Sequence, residues 1–151
     1  MNFFKDNQII FHTSSNVVSL YEIFNNKYGF KTANTFVLMC SIGAHIGKRE
    51  KIVEYGKEFR SNYLTHTEQM KLYCILLNVN SSANILSRFE EKEFKSDARK
   101  ILEEYAESGA MYLINHCYAT YYNNGELISE YDGYLDDLLN FSIKTIEITP
   151  F

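Results

Sequence analysis

Residues 32–47, TANTFVLMCSIGAHIG, decide the reading of this chain. Thr32 or Asn34 offers a helix cap. Phe36, Val37, Leu38, Met39, Ile42 and Ile46 then make the segment apolar nearly all round, and Gly47 stops it. A helix of that kind has no face for water and belongs at the centre of a helical domain. Gly43, inside it, lets another backbone approach closely.

The flanks extend the same pattern. Val17, Leu20, Tyr21 and Phe24 share one face of a helix that starts at Ser14 or Ser15 and ends near Tyr28, with Gly29 as its stop. Residues 1–14 read as an N-terminal arm or short strand. Residues 48–64 alternate charged and apolar side chains around Gly56 and read as a loop with a short extended piece. Thr65–Glu68 has the form of a capping box, so a helix is expected through Met70, Tyr73, Ile75, Leu76 and Leu77. Ser81 or Ser82 restarts a helix containing Ile85, Leu86 and Phe89. Ser96 starts another carrying Ala98, Ile101, Leu102 and Tyr105, which Gly109 interrupts before 110–122 resumes the pattern. Asn123-Asn124-Gly125 is a turn. A short helix falls within 132–142. Residues 143–148 alternate and read as a strand that pairs with the N-terminal one. The expectation is one mostly α domain, a bundle of about six helices with a minor two-stranded β element from the termini.

Composition narrows the class. The 151 residues are 46% apolar and 23% charged, a balance that supports a buried core. Twelve tyrosines and eleven phenylalanines stand beside no tryptophan, and the one proline is Pro150. Cys40, Cys74 and Cys117 form no CxxC pair, and no signal peptide or membrane-length apolar run is read. The expected compartment is the cytoplasm. The weight of Asn, Lys, Ile and Tyr fits the AT-rich codons of a low-GC bacterium, its phage or a mobile element.

Chemistry-bearing patterns are sparse. His116 and Cys117 are adjacent, so on a helix they diverge by about 100° and cannot share an ion. His12, His45 and His66 lie at no recognised ligand spacing. Gly43 to Lys48 superficially suggests a phosphate loop, but its glycines are four apart instead of five and Arg49 replaces the Ser or Thr that binds Mg²⁺. Glu90, Glu91, Glu93, Glu103, Glu104 and Glu107, interleaved with Lys92, Lys95, Arg99 and Lys100, read as a solvated helix face. No catalytic residue, cofactor or metal is expected.

Two surfaces remain as binding candidates. Lys48, Arg49, Lys51 and Arg60 give segment 48–60 a positive local balance, whereas 126–151 holds six acids against one lysine. A net charge of −4 argues against autonomous nucleic-acid binding, whose affinity rests on phosphate neutralisation. Tyr112, Tyr118, Tyr121 and Tyr122 form the second candidate, a partner surface, because tyrosine gives amphipathic contact at small rotamer cost.

Two stretches carry a resemblance. KTANTFVLMCSIGAHIGKREKI (31–52) is a capped apolar helix with an internal glycine and a Gly-Lys-Arg-Glu-Lys turn, and ILEEYAESGAMYL (101–113) reads Glu-Tyr-Ala-x-x-Gly before an apolar run. Together they resemble the small accessory proteins encoded with DNA-phosphorothioation (Dnd-type) restriction and related phage-defence systems. The likeness spans about residues 15–122, includes no catalytic motif, and leaves out the N-terminal arm and the acidic C-terminal stretch. It implies a non-enzymatic accessory or adaptor beside larger nucleases, ATPases or DNA-recognition subunits, with no site residues to carry over. The expected function is thus protein–protein contact within a defence or restriction assembly, with homo-oligomers plausible and any DNA contact not autonomous. The alternatives are a small nucleic-acid-binding regulator using 48–60, and a phage-encoded inhibitor of a host defence system.

Overall fold

The computed structural model describes residues 2–79 and 85–148, so a cap at Ser81 or Ser82 lies outside the described residues. In chain order the elements are α1 (Phe3–Asn7), β1 (Ile10–Ser14), α2 (Val18–Tyr28), α3 (Thr32–Ile46), β2 (Tyr55–Arg60), α4 (His66–Val79), α5 (Ile85–Arg88), α6 (Phe94–His116), β3 (Tyr122–Asn123), β4 (Glu126–Leu127) and α7 (Tyr134–Ile148). The architecture is mostly α with minor β pairing, as the sequence predicts.

Helix α3 is the central element. Its start is fixed by Asn34, whose Oδ1 accepts the Lys31 backbone N–H at 2.9 Å while its Nδ2 donates to Glu68 of α4 at 2.6 Å. Phe36, Val37, Met39, Cys40 and Gly43 are buried, and the longest helix, α6, crosses against them. The crossing is unusually close. A Cβ built on Gly43 falls 1.9 Å from the Tyr105 carbonyl oxygen, and one on Gly109 falls 1.9 Å from that of Met39. Each glycine faces the other helix's backbone. This explains why α6 runs unbroken through Gly109, where the sequence suggests an interruption: the propensity cost of about 1 kcal/mol is offset by backbone contact that no other residue permits.

Helix α4 begins as its capping box dictates. The Thr65 N–H reaches Glu68 Oε2 at 2.8 Å and the Glu68 N–H reaches Thr65 Oγ1 at 3.2 Å. Gly29 and Gly47 both close their helices in the left-handed conformation, with φ of 72° and 77°.

The β element departs from expectation. β1 pairs antiparallel with β2, Ile10 opposite Arg60, Phe11 opposite Phe59 and His12 opposite Glu58. The proposed C-terminal partner strand does not exist, because α7 continues as helix through Ile148. The N-terminal strand takes its partner from the segment read as a loop. Alternation places Phe11 and Phe59 inward, stacked at 5.2 Å, and leaves Ile10, His12, Glu58 and Arg60 on the other face. Buried Ser61 fastens this region by accepting the Ile9 N–H at 2.9 Å and donating to the Phe4 carbonyl.

Aromatic rings fill two clusters. Phe3, Phe4, Phe11, Phe36, Phe59, Tyr73, Phe89 and Phe94 join α1, the β1–β2 pair, α3, α4 and α6 in edge and tilted contacts. Tyr118, Tyr121, Tyr131 and Tyr134 make the second, which seats the start of α7. Among the described residues no helix is long and apolar enough to cross a membrane.

Candidate binding face

The antiparallel β1–β2 pair packs against α6 through β1. His12 is its anchor. The backbone N–H of His12 donates to Glu103 Oε2 at 2.6 Å, its Nδ1 lies 3.3 Å from the same oxygen, and its Nε2 lies 3.4 Å from Glu58. Tyr55 stacks on the imidazole at 4.1 Å with the planes only 12° apart. Arg99, one turn before Glu103 on α6, donates to Glu103 Oε1 at 3.3 Å. The ring therefore has a carboxylate at each nitrogen and an aromatic lid.

The carboxylates read from sequence as a solvated face include three that are buried: Glu103, Glu104 and Glu107. They are covered by β1 and by the loop after α3, segments distant in sequence. Each meets a donor there. Ser14 Oγ donates to Glu107 at 2.7 Å, and Arg49 lies 3.4 Å from Glu104. Glu107 Oε2 has no hydrogen-bond partner among the described residues. Burial pushes the Glu107 carboxyl above its ordinary range despite the Ser14 hydrogen bond, and nearby Glu50 adds to the shift. Burial also raises Glu103, opposed by the His12 N–H and Arg99.

A groove of about 380 Å³ opens beside this anchor, lined by Gln8, Ile9, Ile10, His12, Lys92, Lys95, Ser96 and Arg99. Lys95 and Arg99 stand one turn apart at the start of α6, and Lys92 lies in the turn that precedes the helix. Arg60 stands opposite Ile10 on the exposed side of the β1–β2 pair. A second, polar cleft of about 550 Å³ separates α2 from the β3–β4 turn, with Glu22, Asn26, Asn124 and Glu130 on its walls.

The four cations predicted from 48–60 are divided. Arg60 belongs to the β1–β2 face. Arg49 is held by Glu104 and lies 6.0 Å over the Tyr105 ring. Lys48 and Lys51 are exposed on the loop between α3 and β2. Among the described residues no hydrogen bond or ion pair joins them to Arg60. Sequence reasoning missed Lys92, Lys95, Arg99, His12 and Tyr55 as members of one face. The available signal was the two-residue period of 10–14, which puts Ile10 and His12 on the same side.

The tyrosine surface is corrected at Tyr118. Tyr118 is fully buried and its hydroxyl donates to the Tyr134 carbonyl at 2.6 Å, so it is core. Tyr121 stacks on Tyr131 at 3.9 Å. Tyr112 stacks on His116 at 4.0 Å, and the Tyr122 hydroxyl reaches the Asn16 carbonyl at 3.4 Å. These three are half-buried rings that bind the C-terminal part to the bundle. Aromatic surplus is as well suited to a core as to a partner, and here the core takes most of it.

Outward apolar side chains lie elsewhere. On α4, Met70 is 47% exposed, Cys74 is exposed and Leu77 is 37% exposed. Their i, i+4, i+7 spacing makes one ridge, preceded by Tyr63, which is 66% exposed. On α7, Leu139 and Ile143 form a shorter pair at i, i+4. No family model, no curated protein and no solved structure matches the chain.

Proposed function

We propose that this chain is a non-enzymatic accessory subunit that works in the cytoplasm by protein–protein contact, within a prokaryotic DNA-restriction or phage-defence assembly. The observation that carries the contact reading is the α4 ridge, where Met70, Cys74 and Leu77 face outward on one stripe. Isolated exposed apolar side chains are ordinary, but a stripe at helical spacing is what a partner helix or groove accepts. The internal acids support the same reading. Glu103, Glu104 and Glu107 meet donors within the fold, and His12 has a carboxylate at each ring nitrogen, so these groups hold β1 and the following segments onto α6. The setting, a defence or restriction assembly, rests on the resemblance carried by 31–52 and 101–113.

The test is quantitative affinity purification of the tagged chain from its native host, beside a Met70→Glu, Leu77→Glu variant. Larger nuclease, ATPase or DNA-recognition subunits are expected with the wild type and lost with the variant, whose circular dichroism is unchanged. Identical protein sets from the two chains, or a strictly monomeric wild type that retains no such subunit, would overturn the proposal.

A further inference from the structure

The groove beside His12 is a separate surface from the α4 ridge, and its chemistry is distinct. Lys92 and Lys95 have no carboxylate partner among the described residues, although α6 offers acids nearby and Arg88 is taken by Asp97 at 3.1 Å. Arg99 is held by Glu103 at 3.3 Å. Ile10, 41% exposed, forms the apolar part of the wall, and His12 is immobilised behind it by Glu103, Glu58 and the Tyr55 ring. A groove with three cations on its wall, one of them fixed, beside an exposed isoleucine is complementary to a short anionic chain that also carries apolar groups.

We propose that this groove receives an acidic peptide segment of a partner protein, its carboxylates facing Lys92, Lys95 and Arg99 and an apolar side chain resting on Ile10. The inference depends on the protein-contact reading above and specifies the chemistry of one partner element. Two observations favour a peptide over nucleic acid. The groove holds about 380 Å³, room for a few residues rather than a duplex footprint. Ile10 also gives an apolar side chain a seat that a phosphodiester backbone would leave unfilled.

The experiment is fluorescence anisotropy of the full chain with a labelled octapeptide of six glutamates and two leucines, run beside a dodecathymidine oligonucleotide. Peptide binding is expected, weakening about fivefold or more as salt rises from about 50 to 300 mM, because contacts at a half-open groove are screened. Lys92→Glu plus Lys95→Glu is expected to weaken it about tenfold or more, Ile10→Ser by less, and Lys31→Glu plus Lys144→Glu, matched in charge but elsewhere, by under twofold. The inference falls if the peptide does not bind, or if the two charge-reversed pairs behave alike. Tighter binding of the oligonucleotide, lost with Lys92→Glu plus Lys95→Glu, would overturn it by assigning the groove to nucleic acid. Because the Met70→Glu, Leu77→Glu variant leaves the groove intact, failure here with partner capture preserved removes only the peptide assignment.

Discussion

Replacing Gly109 by alanine should be among the most damaging one-methyl changes in the molecule, and the crossing of α3 and α6 gives its size. The added Cβ would sit 1.9 Å from the Met39 carbonyl oxygen and 2.8 Å from the Gly43 nitrogen. Both atoms are backbone, so no side chain can swing aside. Restoring a contact of about 3.3 Å requires the helices to part by about 1.4 Å. A gap of that size forfeits about half of each dispersion contact across the interface. Phe36, Met39, Cys40, Leu102, Ala106 and Ala110 are all buried there. With about 0.1–0.2 kcal/mol per atom pair and some ten cross-helix pairs on average for each of these side chains, the loss is roughly 4 kcal/mol. Helix propensity returns about 1 kcal/mol, leaving a net destabilisation of about 3 kcal/mol. For a chain of this length that lowers Tm by roughly 10 °C. Gly47→Ala is the contrast: nothing lies within 4 Å of its Cβ, and the penalty is the left-handed φ of 77° alone, about 1 kcal/mol. Urea and thermal denaturation followed by circular dichroism measure both. The double variant Gly43→Ala, Gly109→Ala should cost less than the sum, since helices already parted by one methyl have room for the second. If Gly109→Ala leaves stability within about 0.5 kcal/mol, or raises it as propensity alone predicts, the close crossing is wrong.

Glu107→Gln should stabilise the protein at neutral pH by about 1–2 kcal/mol, the scale of relieving a buried charged oxygen that lacks a partner. The sign follows from linkage: burial raises this carboxyl in the folded state, so its contribution is fully present below the unfolded carboxylate range and is lost as pH rises through the folded value. The gain from glutamine should therefore shrink toward pH 4 in melting curves, and a gain independent of pH would contradict it. Ser61→Ala should cost about 2–3 kcal/mol in urea titrations, because the buried hydroxyl serves both the Ile9 N–H and the Phe4 carbonyl; a cost below about 0.5 kcal/mol would mean that water replaces it.

Local chemistry announced its own elements. Thr65 and Glu68 set the start of α4, Gly29 and Gly47 set two helix ends, and the apolar run 36–42 marked the central helix, because each signal acts over a few residues. The failures involve partners far away in the chain. Residues 143–148 alternate in a way that fits either a strand or the end of an amphipathic helix, and α7 resolves it as helix because the N-terminal strand is already paired with Tyr55–Arg60. Glu103, Glu104 and Glu107 carry no local mark of burial. Only β1, some ninety residues upstream, and the segment after α3 cover them. Tyr118 was indistinguishable by composition from an exposed tyrosine, and it is the contact with Tyr134 that makes it core. The candidate face was legible at one residue, Arg60, whereas Lys92, Lys95 and Arg99 needed the β1–β2 pair placed against α6 to acquire a meaning beyond charge balance.

The thiols allow the most direct examination of the α4 contact. Cys40 is buried and Cys117 is half-buried, its thiol pushed up to about 11 chiefly by burial with Asp137 adding, so both should react slowly with an alkylating agent. Cys74 lies exposed at the middle of the ridge between Met70 and Leu77. Its rate of modification by N-ethylmaleimide, read by mass spectrometry in the purified chain and in intact cells of the native host, should fall at least about tenfold in the cells relative to free glutathione as internal reference. Equal rates in the two settings would mean that nothing covers the ridge where the protein works, and the accessory-subunit account would be contradicted.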